Sequence, residues 1–236
     1  MNRNPGPVTA MPDYVLAPAA IPSLAVAGTA ARYAVRRIWC VGRNYAAHAR
    51  ELGNDEREPP FFFSKQPDMV VPGGGIIAYP GLTANLHYEA ELVVALKGGG
   101  ENVAPEKAAE LIFGHAAGID MTRRDLQKQM QEKGKPWEIG KSFEQSAPVG
   151  TITPSSAPMT SGAIRLAVNG DVRQNSDLSN MIWNVAEIIS RLSRQVRLAA
   201  GDIIFTGTPE GVGAVARGDR LRVEIEGLLP LDVTIA

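Results

Sequence analysis

Residues 87–96 read His87-Tyr88-Glu89-Ala90-Glu91-Leu92-Val93-Val94-Ala95-Leu96. Because successive side chains of a β-strand point to opposite faces, a strand over this stretch places Glu89, Glu91 and Val93 on one face. That face is charged where the strand begins and apolar where it ends, so we expect the strand to enter the hydrophobic core there. The stretch therefore predicts a core strand whose edge carries two carboxylates about 6.7 Å apart at Cα.

Short apolar runs separated by Gly, Pro and Asn turns predict further strands. They cover residues 38–41, 61–63, 92–96, 164–168, 203–205, 221–225 and 231–235. Helical periodicity is clear in residues 181–192, which predict a helix capped by Asp177 or Ser179, and weaker helices are expected near 105–112 and 123–133. Strands and helices do not alternate regularly. We therefore predict an α+β fold dominated by β-structure, a mixed sandwich or roll of short strands with a few helices.

The chain length and charge limit the kind of partner. A chain of 236 residues suits one domain, and the prolines near its start predict an extended N-terminal arm over residues 1–35 before a catalytic domain over 36–236. The 24 Lys and Arg nearly balance the 25 Asp and Glu, which argues against nucleic acid and membrane partners and favours a small molecule. One cysteine and the absence of a continuous apolar segment predict a cytoplasmic protein without disulfides.

A third carboxylate, Asp120, ends the apolar run 116–119 just before a predicted helix. Three carboxylates that converged with Glu89 and Glu91 in a partly buried site would repel one another unless a cation neutralised them. An all-oxygen donor set suits Mg²⁺ or Mn²⁺, with Ca²⁺ as a substitute in a crystal, better than zinc. The glutamate pair alone is equally typical of a half-exposed strand with a solvated face.

Five segments carry a resemblance to a known family, in that family's order and at compatible spacing. They are Cys40-Val41-Gly42-Arg43-Asn44-Tyr45, Asn85-Leu86-His87-Tyr88-Glu89-Ala90-Glu91, Gly118-Ile119-Asp120-Met121-Thr122, Gly140-Lys141-Ser142-Phe143 and Gly201-Asp202-Ile203-Ile204-Phe205-Thr206-Gly207-Thr208-Pro209. Over roughly residues 37–236 the chain thus resembles the fumarylacetoacetate hydrolase family. The resemblance implies that Glu89, Glu91 and Asp120 bind Mg²⁺ or Mn²⁺.

His48 and Glu51 are spaced i, i+3, so on a helical turn they share a face and the carboxylate can orient the imidazole. From spacing alone, an exposed His-Glu pair on a surface helix is the more common arrangement. The resemblance implies instead that the two form the water-activating dyad, together with Lys141 as a catalytic lysine.

The resemblance also implies a substrate-binding set. Arg124 and Gln127, spaced i, i+3 on the helix after Asp120, and Thr208 in a tight turn are implied to contact the substrate. A distal carboxylate on that substrate would need a cation, for which Arg123, Arg43 and Arg50 are all candidates.

The segments around Arg124 and Lys141 look closest to fumarylpyruvate hydrolases of gentisate breakdown. The resemblance therefore implies a homodimeric hydrolase that cleaves a C–C bond of a 2,4-dioxo acid, with fumarylpyruvate giving fumarate and pyruvate. Oxaloacetate decarboxylation and isomerisation or decarboxylation of hydroxydienoates are the alternatives within the family. A non-catalytic dicarboxylate-binding protein is a further alternative, although such a protein would have no use for a poised base.

Overall fold

The computed structural model of the protein describes residues 14–45 and 58–236. The helices are α1 (Ala108–Leu111), α2 (Arg124–Glu132) and α3 (Val185–Ser193). The strands are β1 (Ser23–Ala25), β2 (Arg32–Ala34), β3 (Arg37–Gly42), β4 (Phe61–Lys65), β5 (Val70–Pro72), β6 (Gly75–Ile77), β7 (Leu86–Tyr88), β8 (Ala90–Leu96), β9 (Ile112–Ile119), β10 (Thr122–Arg123), β11 (Ala147–Val149), β12 (Thr153–Pro154), β13 (Ala163–Val168), β14 (Asp171–Asp177), β15 (Asp202–Phe205), β16 (Gly213–Ala214), β17 (Arg220–Ile225) and β18 (Leu231–Ile235).

Two main sheets form the body of the described chain. The larger has the order β4-β3-β15-β8-β9-β11-β5, with β12 paired to β9, and the smaller has the order β14-β13-β17-β18-β6. A short sheet β10-β7-β16 and the hairpin β1-β2 complete the arrangement. This predominance of strands over a few helices confirms the predicted α+β fold class.

Strand β8 lies inside the larger sheet between β15 and β9, and all seven of its residues are buried. Leu92 and Val94 belong to a core cluster that includes Ile164 of the smaller sheet, whereas Val93 belongs to a second cluster with Cys40 of β3. The predicted alternation of faces along this strand is thus confirmed. Since both faces of β8 are covered by apolar side chains, the strand holds the groups at its start in a rigid position.

The helix predicted over residues 181–192 begins later than expected. Asn184 is its N-cap and forms a capping box with Glu187, so that α3 starts at Val185. The predicted cap at Asp177 is wrong for this helix, because the Asp177 carboxylate instead accepts a hydrogen bond from Ser179 N at 2.8 Å in a separate 3₁₀ turn. The reciprocal side-chain and backbone bonds of a capping box define the stronger helix start.

The predicted helix near 123–133 is present as α2, and Gly134 follows it with a φ of 59°. Near 105–112 the chain forms a 3₁₀ turn over Pro105–Lys107 and then the single-turn helix α1. Across residues 14–45 and 58–236, no helix is long and apolar enough to cross a membrane.

Part of the predicted N-terminal arm packs on the domain. Strands β1 and β2 pair antiparallel, and Leu24 and Val35 are buried in the second core cluster. Residues 1–13 of the predicted arm lie outside the described residues, and the predicted division of the chain at residue 35 stays a prediction.

Candidate metal centre

Three carboxylates converge at the start of β8. Glu89 lies in the break between β7 and β8, Glu91 is the second residue of β8, and Asp120 follows β9. Strands β8 and β9 pair antiparallel with Glu91 opposite Gly118, and Asp120 N donates to Glu89 O at 2.8 Å. One oxygen of each carboxylate lies within 4.8 Å of the others, and all three residues are buried. The structure therefore brings together the three predicted ligands, although their metal-binding role remains a prediction.

Two cations pair directly with these carboxylates. Arg124 belongs to α2, and Lys141 lies in the segment that follows α2. The Nζ of Lys141 lies 2.7 Å from Glu89 Oε2 and 2.7 Å from Asp120 Oδ2. The Arg124 guanidinium donates a hydrogen bond to the other oxygen of Glu89. Lys141 thus lies at the carboxylates, and its catalytic role stays a prediction.

A third cation, Lys65 at the end of β4, was not predicted. Its side chain is fully buried, with Nζ 2.8 Å from Asp120 Oδ1, and it also donates to Met121 O at 3.2 Å and to Lys141 O. One ammonium group therefore holds both a candidate ligand and the backbone of the candidate catalytic lysine. In the sequence Lys65 follows three phenylalanines and Ser64, so it was indistinguishable from a polar strand end.

Positive and negative charges at the centre shift the pKa values of its groups. Burial, Asp120 and Glu89 together raise the pKa of Glu91 well above its ordinary value, even though Gly207 N donates to Glu91 Oε2 at 2.7 Å. Burial acts to lower the pKa of Lys141, but the charges of Asp120 and Glu89 outweigh it and the pKa is raised. A divalent cation would offset the negative charge around the buried carboxylate of Glu91. Because all the donor atoms are carboxylate oxygens, a hard cation fits the cluster.

The predicted pair on α2 forms one unit. Arg124 Nη1 donates to Gln127 Oε1 at 2.6 Å, a contact that the i, i+3 spacing on a helix allows. Gly140 approaches the Gln127 backbone so closely that a Cβ at position 140 would lie 2.8 Å from Gln127 N. The 3₁₀ turn over Glu138–Gly140 therefore packs on the helix and places Lys141 beside Arg124.

The turn that carries Thr208 is held from two sides. Gln174 of β14 donates from Nε2 to Thr208 Oγ1 at 2.8 Å and accepts from Ala90 N at 3.0 Å through Oε1. Asn44 donates to Thr206 O at 2.7 Å. Gln174 was not predicted, because nothing in the polar sequence of β14 marks this one residue as buried.

A cavity of about 270 Å³ opens onto the centre. Beside the carboxylates, Lys141 and Thr208, its lining comprises one face of α2 and the ends of β3 and β4. The further residues are Val41, Gly42, Arg43, Phe61, Phe63, Arg124, Gln127, Lys128, Gln131 and Trp137. The predicted metal and substrate residues thus line the same space.

Comparison with known families identifies this arrangement. The family model described as fumarylacetoacetate (FAA) hydrolase, C-terminal, matches residues 37–236. The chain belongs to the fumarylacetoacetate hydrolase family. The predicted family membership is therefore confirmed.

Relatives within the fumarylacetoacetate hydrolase family include enzymes with different activities. Fumarylpyruvate hydrolase of Ralstonia sp is 46% identical over 179 residues, which cover 75% of this chain and 93% of the relative. The mitochondrial oxaloacetate tautomerase FAHD1 of Homo sapiens is 40% identical over 199 residues, which cover 83% of this chain and 90% of the relative. The protein is an enzyme of this family, as predicted.

A solved structure of the same family is similar over nearly the whole chain. The crystal structure of fumarylpyruvate hydrolase from Pseudomonas aeruginosa in complex with Mn²⁺ and pyruvate has a TM-score of 0.92 and 52% sequence identity, and the match covers 95% of this chain and 99% of that one. The presence of Mn²⁺ in that protein and the buried acidic triad in this one both fit a divalent metal ion.

Three predicted residues cannot be placed in this site. His48, Glu51 and Arg50 lie outside the described residues, so the dyad stays a prediction. Arg123 is buried, with its guanidinium carbon 4.3 Å from the centroid of the Phe143 ring, and it does not line the cavity. Of the three arginines considered for a distal carboxylate, Arg43 alone is seen to line the cavity in the part of the chain that the structure describes.

Proposed function

We propose that the protein is a metal-dependent fumarylpyruvate hydrolase that cleaves a 2,4-dioxo acid into fumarate and pyruvate. The observation that carries the proposal is one cavity lined by Glu89, Glu91, Asp120 and Lys141 together with the Arg124–Gln127 pair. The similarity to fumarylpyruvate hydrolases at 46% and 52% identity supports the same substrate.

Glu89, Glu91 and Asp120 would hold the divalent ion, Mg²⁺ or Mn²⁺, because hard cations prefer carboxylate oxygens. When bound, the ion supplies Lewis acidity toward a keto acid and compensates negative charge that develops on its oxygens. The raised pKa of Glu91 supports this assignment, since added positive charge beside Glu91 would favour its ionised form.

The remaining residues bind the substrate and hold protons. The Arg124 guanidinium, oriented by Gln127, and the Thr208 hydroxyl are the proposed partners of the 1-carboxylate. Lys141 keeps a proton on Nζ because its pKa is raised, and it would stabilise or protonate the enolate oxygen of the departing pyruvate. Binding between fixed donors would also orient the substrate for attack.

The water-activating role is assigned to His48, with Glu51 holding its imidazole. His48→Ala is expected to bind Mn²⁺ as the unchanged protein does and to lose turnover. Hydrolysis at the original rate in His48→Ala would remove the dyad from the mechanism.

The oligomeric state, cellular location and metabolic role of the enzyme are proposed by analogy to its family. We place a homodimer in the cytoplasm, with a role in aromatic catabolism through the gentisate route. Sedimentation equilibrium of the purified protein tests the dimer, which predicts twice the 25.2 kDa chain mass.

A substrate panel tests the proposed activity. Purified enzyme is assayed for pyruvate formation from fumarylpyruvate, acetylpyruvate and oxaloacetate, with and without Mg²⁺ or Mn²⁺. The proposal expects the highest kcat/KM for fumarylpyruvate and no turnover after metal removal. Pyruvate release from oxaloacetate alone would favour a decarboxylase. Since oxaloacetate tautomerases are also relatives, enol–keto conversion of oxaloacetate without pyruvate release would favour a tautomerase, and ligand binding without either reaction would favour a binding protein.

A further inference from the structure

The cavity continues away from the carboxylate centre along two walls. On α2, Lys128 and Gln131 follow Arg124 at i+4 and i+7 and line the same cavity. With a rise of about 1.5 Å per residue, Lys128 stands about 6 Å further along the helix than Arg124. The α2 wall therefore runs from Arg124, which donates to Glu89, to the exposed Lys128 at the outer end of the cavity, here called the mouth.

The second wall is aromatic. The Lys141 Nζ lies 5.3 Å from the centroid of the Phe63 ring, so Phe63 borders the centre. Phe61 lies two residues earlier on β4, on the same face and about 6.6 Å further out. Trp137 packs edge-on against both rings, with centroid distances of 6.1 Å to Phe61 and 5.2 Å to Phe63. This wall offers flat apolar surface from the centre to the mouth.

At the mouth of the cavity, Gly42 and Arg43 lie against the Phe61 ring, and the backbone of Arg43 has an unusual conformation. Phe61 pairs with Gly42, where a Cβ would lie 2.0 Å from the Phe61 ring, so the ring packs directly on the glycine. Arg43 follows in the left-handed region with a φ of 58°, which is uncommon for arginine and is often found at binding sites. Its guanidinium carbon lies 5.6 Å from the centroid of the Phe61 ring. The cation is thereby held beside the aromatic wall.

The charges at the mouth differ from those at the centre. Arg124 and Lys141 are paired with the buried carboxylates. Within residues 14–45 and 58–236, Arg43 forms no ion pair, and Lys128 has only Glu132 at 3.9 Å, with most of its side chain exposed. The only carboxylates that line the cavity, among the described residues, are the three at the centre. Two cations are therefore available at the mouth to an anionic ligand.

We infer that Arg43, Lys128 and the wall of Phe61, Phe63 and Trp137 form a distal subsite for a flat, unsaturated acyl group that ends in a carboxylate. The inference rests on the proposed hydrolase function and assigns the residues that select the acyl half of the substrate. A planar enoyl group stacks on aromatic rings, and its terminal carboxylate pairs with a guanidinium or an ammonium.

The length of such a substrate fits this subsite. An extended seven-carbon dioxo diacid has its two carboxyl carbons roughly 7–8 Å apart, from six C–C bonds of about 1.5 Å each. This is close to the offset of about 6 Å between Arg124 and Lys128 along α2. Acetylpyruvate ends in a methyl group and reaches neither cation. The subsite thus favours fumarylpyruvate over alkyl acylpyruvates.

Substitution of the two cations tests the subsite. Arg43→Met, Lys128→Met and the double variant are assayed on fumarylpyruvate and acetylpyruvate, with Lys133→Met as the control. Lys133 is an exposed lysine at the end of the same helix that does not line the cavity. We expect the ratio of kcat/KM for fumarylpyruvate over acetylpyruvate to fall roughly tenfold in each single variant, mainly through KM, since each loses one charge-assisted contact. The ratio should not change in Lys133→Met.

A second measurement does not depend on turnover. The dissociation constant of fumarate is measured by calorimetry for the Mn²⁺-loaded protein and for each variant. Weaker fumarate binding in Arg43→Met and Lys128→Met supports the subsite. An unchanged substrate ratio together with unchanged fumarate affinity would overturn it. If the unchanged protein releases no pyruvate from either substrate, the hydrolase proposal fails, while the fumarate affinities still decide the subsite.

Discussion

Replacing Lys65 with Met is the most informative stability experiment on this centre. The side chain of Lys65 is 0% exposed, and its Nζ pairs with the nearly fully buried Asp120 at 2.8 Å. Methionine keeps the approximate length and apolar stem of lysine but removes the charge and the donors to Met121 O and Lys141 O. The variant therefore leaves a buried carboxylate and two carbonyl groups with fewer partners.

The size of the effect follows from the burial of the pair. Removing one partner of a buried ion pair typically costs about 3–5 kcal/mol. Because Lys141 still pairs with Asp120 at 2.7 Å, we expect the lower end, about 3 kcal/mol of the free energy of unfolding. For a chain of this size each kcal/mol shifts Tm by about 2–4 °C, so Tm should fall by about 6–12 °C.

Thermal unfolding followed by circular dichroism, with and without Mn²⁺, measures the effect. Because a divalent ion would compensate the charge of Asp120, Mn²⁺ should raise Tm more in Lys65→Met than in the unchanged protein. Lys107→Met, which breaks the exposed Lys107–Glu110 pair, is the control and should leave Tm unchanged. A fall in Tm for Lys65→Met no larger than that of Lys107→Met would refute the reasoning.

Three further perturbations test other parts of the structure. Gly207→Ala places a Cβ 2.7 Å from Asn44 Cβ at a φ of 96°, and it should lower the free energy of unfolding in urea by more than about 1 kcal/mol. The control Gly28→Ala has a φ of 78° but open space around the new Cβ. An equal loss of stability in the control would mean that backbone strain alone, and not the clash with Asn44, causes the loss. Burial lowers the pKa of His115 to about 4 from 6.5. As pH falls, His115 is therefore protonated in the unfolded chain before it is protonated in the folded protein. The free energy of unfolding should therefore decrease by up to about 3 kcal/mol between pH 7 and pH 4. In His115→Leu this contribution to the pH dependence of stability should be lost. An unchanged pH dependence in the variant would contradict its assignment to His115. Glu89→Ala should no longer bind Mn²⁺ in calorimetry, and undiminished binding would exclude Glu89 as a ligand.

The sequence predicted those features that depend on local pattern. The alternation around Glu89 and Glu91 is a property of one strand, and it matches the structure because β8 is covered on both faces. The start of α3 was missed because Asp177 and Asn184 are both good caps, and the capping box of Asn184 with Glu187 decided between them.

Features that depend on long-range pairing were not predicted. Lys65 reaches Asp120 because β3 carries β4 to the edge of the sheet that contains β8 and β9. Gln174 reaches Thr208 because β14 packs beside the start of β8. Neither contact leaves a periodic signal in the sequence. That Arg43 lines the cavity and Arg123 does not likewise depends on long-range packing, since Arg123 is buried against Phe143.

In the proposed mechanism, Glu89, Glu91 and Asp120 hold one divalent ion on which C–C bond cleavage depends. Metal-stripped enzyme is titrated with Mn²⁺ while bound metal and pyruvate release from fumarylpyruvate are followed in the same samples, with Asp120→Asn alongside. We predict that binding and activity rise together and saturate at one ion per chain, and that Asp120→Asn loses both. Full pyruvate release by the metal-stripped enzyme, or unchanged Mn²⁺ binding in Asp120→Asn, would contradict the claim.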